Sequence, residues 1–188
     1  MDRALLIRQL NPADRDAYFQ LRLRGLQAHP AAFGQSYQEA LEKGPSQHDA
    51  MWQGAHASEG NVLLGAFVAP DEQLGGIVGL MRHQWLKERH KASVVGMYVA
   101  PAAAGRGVGR ALLAELLVRA SKIEGLRQVQ LVVSSANEPA RRLYESLGFR
   151  CYGREVEALC IDGTFHDADL MVRFIRLKRE KPYGSRQG

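Results

Sequence analysis

Three glycines alternate across Ala104-Gly105-Arg106-Gly107-Val108-Gly109-Arg110. Glycine lets a backbone turn tightly and leaves no Cβ between amide N–H groups and a ligand. The residues leading in, through Met97-Tyr98-Val99, read as a strand. Those leading out read as an amphipathic helix, with Leu112, Leu113, Leu116, Leu117 and Ala120 on one face. A helix start supplies unpaired N–H donors and a partial positive charge, which suits phosphate or pyrophosphate. A glycine pair alone would read as a packing turn. Here strand, three spaced glycines, Arg106 and helix agree on phosphate. Two nucleotide patterns fail. A Walker loop needs Gly-Lys-Ser/Thr where this chain has Gly109-Arg110-Ala111, and a GxGxxG series begun at Gly105 or Gly107 breaks at Arg110 or Leu112.

A second group lies further on. Asn137 precedes Glu138-Pro139 as a helix cap, and Ala140, Leu143, Tyr144 and Leu147 share one side of that helix before Gly148 stops it. By spacing alone Tyr144 is a core tyrosine and Asn137 a cap. Candidate proton acceptors are scattered: Glu88, His83 and His90 before the Ala92–Val99 strand, and His166 and Asp167 near the end. Each reads first as a solvated surface group.

Around these residues the chain falls into ordinary elements. A first strand covers Ala4–Arg8, and a helix opened by Asn11-Pro12 runs through Leu21 and Leu26 to His29-Pro30. A second helix spans Tyr37 to Lys43, and Gln47 to His56 suggests another. Strands follow at Val62–Val68 and Gly75–Arg82, joined through Pro70-Asp71-Glu72, and then at Ala92–Val99. Strand, helix and the Val129–Val133 strand make a unit whose strands pair in parallel. Asp162-Gly163 is a two-residue hairpin signal between Val156–Ile161 and Leu170–Ile175.

The 188 residues suit one α/β domain, assigned to 1–180, with a flexible basic tail over 181–188. The net charge of +5 is partly carried by Arg173, Arg176, Lys178, Arg179, Lys181 and Arg186. Nucleic acid is not expected, since no reading helix or interleaving of basic and aromatic residues accompanies that charge. Cys151 and Cys160 lack metal spacing and read as small hydrophobes; no metal is expected. With no leader-like or membrane-length apolar run, the expected location is cytoplasmic.

Taken together, the motifs resemble the GNAT superfamily of N-acetyltransferases. Ala104-Gly105-Arg106-Gly107-Val108-Gly109 is similar to that family's Arg/Gln-x-x-Gly-x-Gly/Ala loop, with Ala104 where the family prefers Gln or Arg. Asn137-x-x-Ala140-x-x-x-Tyr144-x-x-x-Gly148-Phe149 resembles its later helix and Gly-Phe strand entry, and the likeness runs from about Ile77 to Phe174. The resemblance implies a mixed, mostly antiparallel sheet with one splayed parallel strand pair, flanked by helices.

It also implies acetyl-CoA as co-substrate and a primary amine as acceptor. The loop from Ala104 to Arg110 would cradle the pyrophosphate, and the Met97, Tyr98 and Val99 backbone would pair with the pantetheine arm. Asn137 would bond that arm, and Tyr144 would touch the cofactor and protonate the departing thiolate, a phenol of pKa ~10 facing a thiol of ~8.5. Arg141 and Arg142 are candidates for the adenosine phosphate, and Phe33, Tyr37 and Glu39 for the acceptor pocket. Relatives often carry a glutamate on the strand before the loop; Ser93–Val99 has none, which leaves Glu88, His83, His90 or water as the base. A small-molecule or amino-acid amine is the preferred acceptor. A protein amine, a non-catalytic acyl-CoA-binding module and homodimer formation stay open.

Overall fold

The computed structural model describes residues 5–49, 60–69 and 72–175. Within them lie strands β1 (Leu5–Gln9), β2 (Val62–Val68), β3 (Gln73–Arg82), β4 (Lys91–Val99), β5 (Gln128–Ser134), β6 (Arg150–Ile161) and β7 (Thr164–Phe174). The helices are α1 (Arg15–Ala28), α2 (Tyr37–Lys43), α3 (Val108–Ala120) and α4 (Glu138–Ser146). The strands form one sheet in the order β1-β2-β3-β4-β5-β7-β6. All neighbours are antiparallel except β4 and β5, which α3 connects. This is the mixed sheet with a single parallel pair that the sequence implied.

Alternation along the strands sends consecutive residues to opposite faces. On one face Leu64, Val78, Leu80, Val129 and Leu131 meet the buried Leu112, Leu113, Leu116 and Leu117 of α3, the stripe predicted from period. Each such leucine contributes about 2 kcal/mol by leaving water. On the other face Leu63, Phe67, Ile77 and Tyr98 meet Tyr18 and Leu21 of α1. Helix α1 approaches β4 so closely that a Cβ on Gly25 would stand 2.9 Å from the Tyr98 ring.

The structure refines several boundaries. The helix expected from Pro12 is split into a 3-10 turn (Pro12–Asp14) and α1, because Asp14 accepts from the Asn11 amide at 2.9 Å while Arg8 clamps the same carboxylate at 2.7 Å. Both hairpin strands are longer than expected, and Asp162 and Gly163 turn with φ of 48° and 78°, as the Asp-Gly signal requires. Cys151 and Cys160, read as small hydrophobes, are free thiols, and both are exposed because β6 is an edge strand whose residues mostly face solvent. The strand start at Ala4, most of the Gln47–His56 helix, Pro70-Asp71 and the 181–188 tail lie outside the described residues.

Candidate active site

Strand β4 pairs with β5 over three positions only, Lys91↔Gln128, Ala92↔Val129 and Ser93↔Gln130. Past them the strands part, and among the described residues the β5-facing edge of β4 has no ladder partner. A bulge sharpens the divergence. Pairing with β3 steps from Ile77↔Tyr98 to Gly79↔Val95, so β4 carries one extra residue, and Gly96 takes φ 61° to accommodate it. Between the parted strands lies a cavity of about 1050 Å³, lined by residues 94–99 of β4, residues 131–134 of β5, the glycine loop and α4.

The three glycines of the loop do different work. Gly105 and Gly107 hold φ of 73° and 74°, and nothing lies within 4 Å of where a Cβ would stand. The cradle is open on that side. Gly109 instead allows contact, since its Cβ would meet the Met97 side chain at 3.2 Å. Gly107 is the N-cap of α3 and has no side chain to cap it, so first-turn amides stay available to a ligand. Ala104, Gly105, Gly107, Val108, Gly109 and Arg110 line the cavity, and Arg106 does not. Arg110 is engaged as well with Ser146 on α4, its Nη2 donating to Oγ at 2.8 Å.

Helix α4 brings Asn137 and Tyr144 to the same cavity. Asn137 Oδ1 accepts from the Ala140 amide at 3.2 Å, the expected cap, and its NH2 group is left for other partners. Tyr144 is 8% exposed with its ring edge-on to Phe149 at 5.9 Å, and burial pushes its phenol up to about 12. The helix is clamped from behind. Asp169 of β7, 2% exposed, receives Arg141 of α4 at 3.0 Å and Arg154 of β6 at 2.8 Å. Its carboxyl is held below the usual range by the Arg154 hydrogen bond and by both guanidinium charges. Arg141 is thus committed to this clamp, and Arg142 pairs with Glu138 at 2.9 Å.

Residues 27–149 match the acetyltransferase (GNAT) family model. The chain belongs to the GNAT acetyltransferase family. The match begins well before Ile77 and ends at Phe149, so it includes more of the N-terminal helices and less of the last hairpin than the motifs suggested. A mycothiol acetyltransferase of Brachybacterium faecium is 36% identical over 87 residues, 46% of this chain and 26% of that protein. A spermidine N(1)-acetyltransferase of Vibrio cholerae is 30% identical over 105 residues, 56% of this chain and 60% of that protein. The chain spans less than two thirds of the length of these relatives. It shares its fold with a GNAT phosphinothricin acetyltransferase of Sinorhizobium meliloti in complex with AcCoA, at TM-score 0.77 and 21% identity over 98% of this chain and 95% of that one.

This GNAT chain has a second cavity of about 520 Å³ on the α1 side of the sheet. It shares Val94, Val95, Gly96, Leu131, Val132 and Ser134 with the first, so the two meet where the strands part. Sequence reasoning missed the groups that give it character, Arg22, His48 and Glu155. Arg22 donates from Nη2 to Gln35 Oε1 at 2.8 Å, and its Nη1 lies 3.4 Å from where a Gly96 Cβ would be. Burial, helped by the Arg22 charge, pushes His48 down to about 4, so this imidazole is neutral.

The expected acceptor residues divide. Phe33 lines both cavities. Tyr37 packs beneath α1, and Glu39 accepts from the Ser36 amide at 2.8 Å as a helix cap. The expected bases are displaced too. Glu88 pairs with Lys91 at 2.8 Å, at the end of β4 roughly 25 Å of strand away from the glycine loop. His83 reaches the second cavity only through Ser93, at 3.0 Å, and His90 lines neither cavity. His166, placed last among the candidates, lines the first cavity, whereas Asp167 accepts from the Glu157 amide at 3.0 Å. Among the described residues no cluster of three metal-ligating side chains occurs, and no helix is long and apolar enough to cross a membrane.

Proposed function

We propose that this chain moves an acetyl group from acetyl-CoA to the primary amine of a small molecule or amino acid, by direct attack in a ternary complex. The unpartnered β4 edge beside an open glycine cradle carries this reading. A pyrophosphate suits the amides of Gly105 to Gly109, and an amide-rich arm can add to the 97–99 edge as a further strand. A thioester carbonyl in the gap would meet a β4 backbone N–H as polarising donor. The second cavity then delivers the amine from the far side of the sheet.

The amine nitrogen attacks the carbonyl carbon, a C–N bond forms, the C–S bond breaks, and the amine loses a proton while sulfur gains one. At pH 7 a lysine-like amine of pKa ~10.4 is neutral in about one molecule per thousand, so proton removal matters. Solvent in the acceptor cavity or Glu155, the one carboxylate among the described residues lining either cavity, serves this step. Tyr144 keeps its proton at any working pH. Full transfer from a phenol near 12 to a thiolate of ~8.5 is uphill by about 5 kcal/mol, so Tyr144 acts first as a hydrogen-bond donor to the developing charge.

The first test is thermal stability with acetyl-CoA, with dephospho-CoA and ATP as controls. A ligand of the native state adds ~2.7 kcal/mol at a hundredfold excess over Kd. No shift at millimolar acetyl-CoA would remove the reading. A shift without thiol release toward any amine would leave an acyl-CoA-binding module.

A further inference from the structure

The geometry points to an α-amino carboxylic acid as the acceptor, its carboxylate held by Arg22 on the α1 side of the parted strands. This rests on the transferase reading above and narrows it to one acceptor class.

Several partly buried arginines among the described residues have anionic or carbonyl partners. Arg8 is held by Asp14, Arg15 by Asp49 at 2.6 Å, and Arg141 by Asp169. Arg82 reaches two carbonyl oxygens, those of Arg89 and Glu124. Arg22 differs. Its neighbours are the neutral Gln35, the Phe33 ring at 5.9 Å, Tyr18 and His48. Its Nε is buried without a hydrogen bond, as are those of Arg15 and Arg141, but unlike theirs its guanidinium has no carboxylate within ion-pair distance among the described residues. A half-buried guanidinium surrounded by neutral groups is costly unless an anion joins it. These groups orient the guanidinium without neutralising it.

Position gives the anion its meaning. Nη1 lies against Gly96, the residue on which β4 bulges, three positions beyond its last pairing with β5. An anion bound there sits roughly 3 Å from Nη1. The nucleophile must reach the same gap, so amine and anion must be close together in the acceptor. An α-amino acid meets this, with one carbon between its nitrogen and its carboxylate. A polyamine brings further positive charge toward Arg22, and a protein N-terminus has its nearest carboxyl tied up in a peptide bond. The cavity of about 520 Å³, with Tyr152, Leu159 and Met81 in its wall, leaves room for a side chain.

The test uses matched sets: a free amino acid, its carboxamide, the amine lacking the carboxyl group, and spermidine. These are repeated for apolar, polar, acidic and basic side chains. Binding is followed by calorimetry on protein saturated with CoA, and transfer by thiol release from acetyl-CoA. At least one free acid should bind and react tenfold or more better than its carboxamide, with spermidine inert. Arg22→Gln should erase that preference and Arg22→Lys restore part of it, while Kd for acetyl-CoA stays within twofold. The wild-type acid-to-carboxamide ratio needs no variant, so misfolding of Arg22→Gln cannot hide the answer. Equal handling of acid and carboxamide, a preference that survives Arg22→Gln, or no acid binding at all would overturn the assignment. Acetyl-CoA binding in the same protein separates the two levels. Where it persists and discrimination is absent, only the acceptor class falls; where it is missing, the transferase reading falls with it.

Discussion

The two sides of the parted sheet are built from different materials. The glycine-loop side presents backbone: amides of a helix start, an unpartnered strand edge, and glycines whose missing Cβ keeps the cradle open. The α1 side presents side chains, with Arg22, His48, Phe33 and Glu155 drawn from four separate segments. A backbone site can serve one co-substrate shared by a whole family, because its donors do not depend on side-chain identity. A side-chain site changes with each substitution. The difference teaches that these cavities should fail independently under mutation.

The largest effect should come from what joins them. Asp169→Ala leaves Arg141 and Arg154 facing each other without their anion and frees α4 from the last hairpin. A loss of about 3 kcal/mol is expected in urea unfolding, with reduced turnover as Tyr144 drifts. The pH dependence has a definite sign. The Asp169 carboxyl lies below its ordinary 3.8 in the folded chain, so its stabilisation is complete above that value and fades as pH falls through the folded pKa. Asp169→Asn should flatten the loss of stability below pH 4; an unchanged acid limb would count against the clamp.

Next in size is Tyr144→Phe. Removing one hydroxyl should lower kcat about a hundredfold, with KM for acetyl-CoA and for amine nearly unchanged. An equal rise in KM would instead make Tyr144 a binding group. Gly107→Ala should weaken acetyl-CoA binding about tenfold. Alanine at φ 74° costs ~1–2 kcal/mol, and its methyl enters the open side of the cradle. The KM for the amine should not follow, and a parallel rise in both would break the independence of the two sides. The smallest change is a gain. Ala104→Arg restores the residue type that the family motif favours, and acetyl-CoA affinity should rise about threefold through one charge-assisted contact.

What could be read in advance follows the same division. Leu112, Leu113, Leu116 and Leu117 announced α3 by period, Asp162-Gly163 announced the hairpin, and the spaced glycines announced the cradle. Each is a local pattern within a few residues. Arg22 gave no such signal, because an arginine on an amphipathic helix is ordinarily solvated. Its significance arises where α1 crosses the β4 bulge, and Gly96 is 74 residues further along the chain. Glu88, one of the bases left open, shows the complementary case, being near β4 in sequence but at the end of it far from the glycine loop in space.

The sequence by itself determined most of the elements, the family and the open glycine loop, because helix period, turn chemistry and absent Cβ atoms act over short range. Only the tertiary structure decided where β4 and β5 part, that Arg141 serves the Asp169 clamp, and that Arg22 meets Gly96. Those relations depend on strand register and helix placement, which arise from packing across the whole sheet.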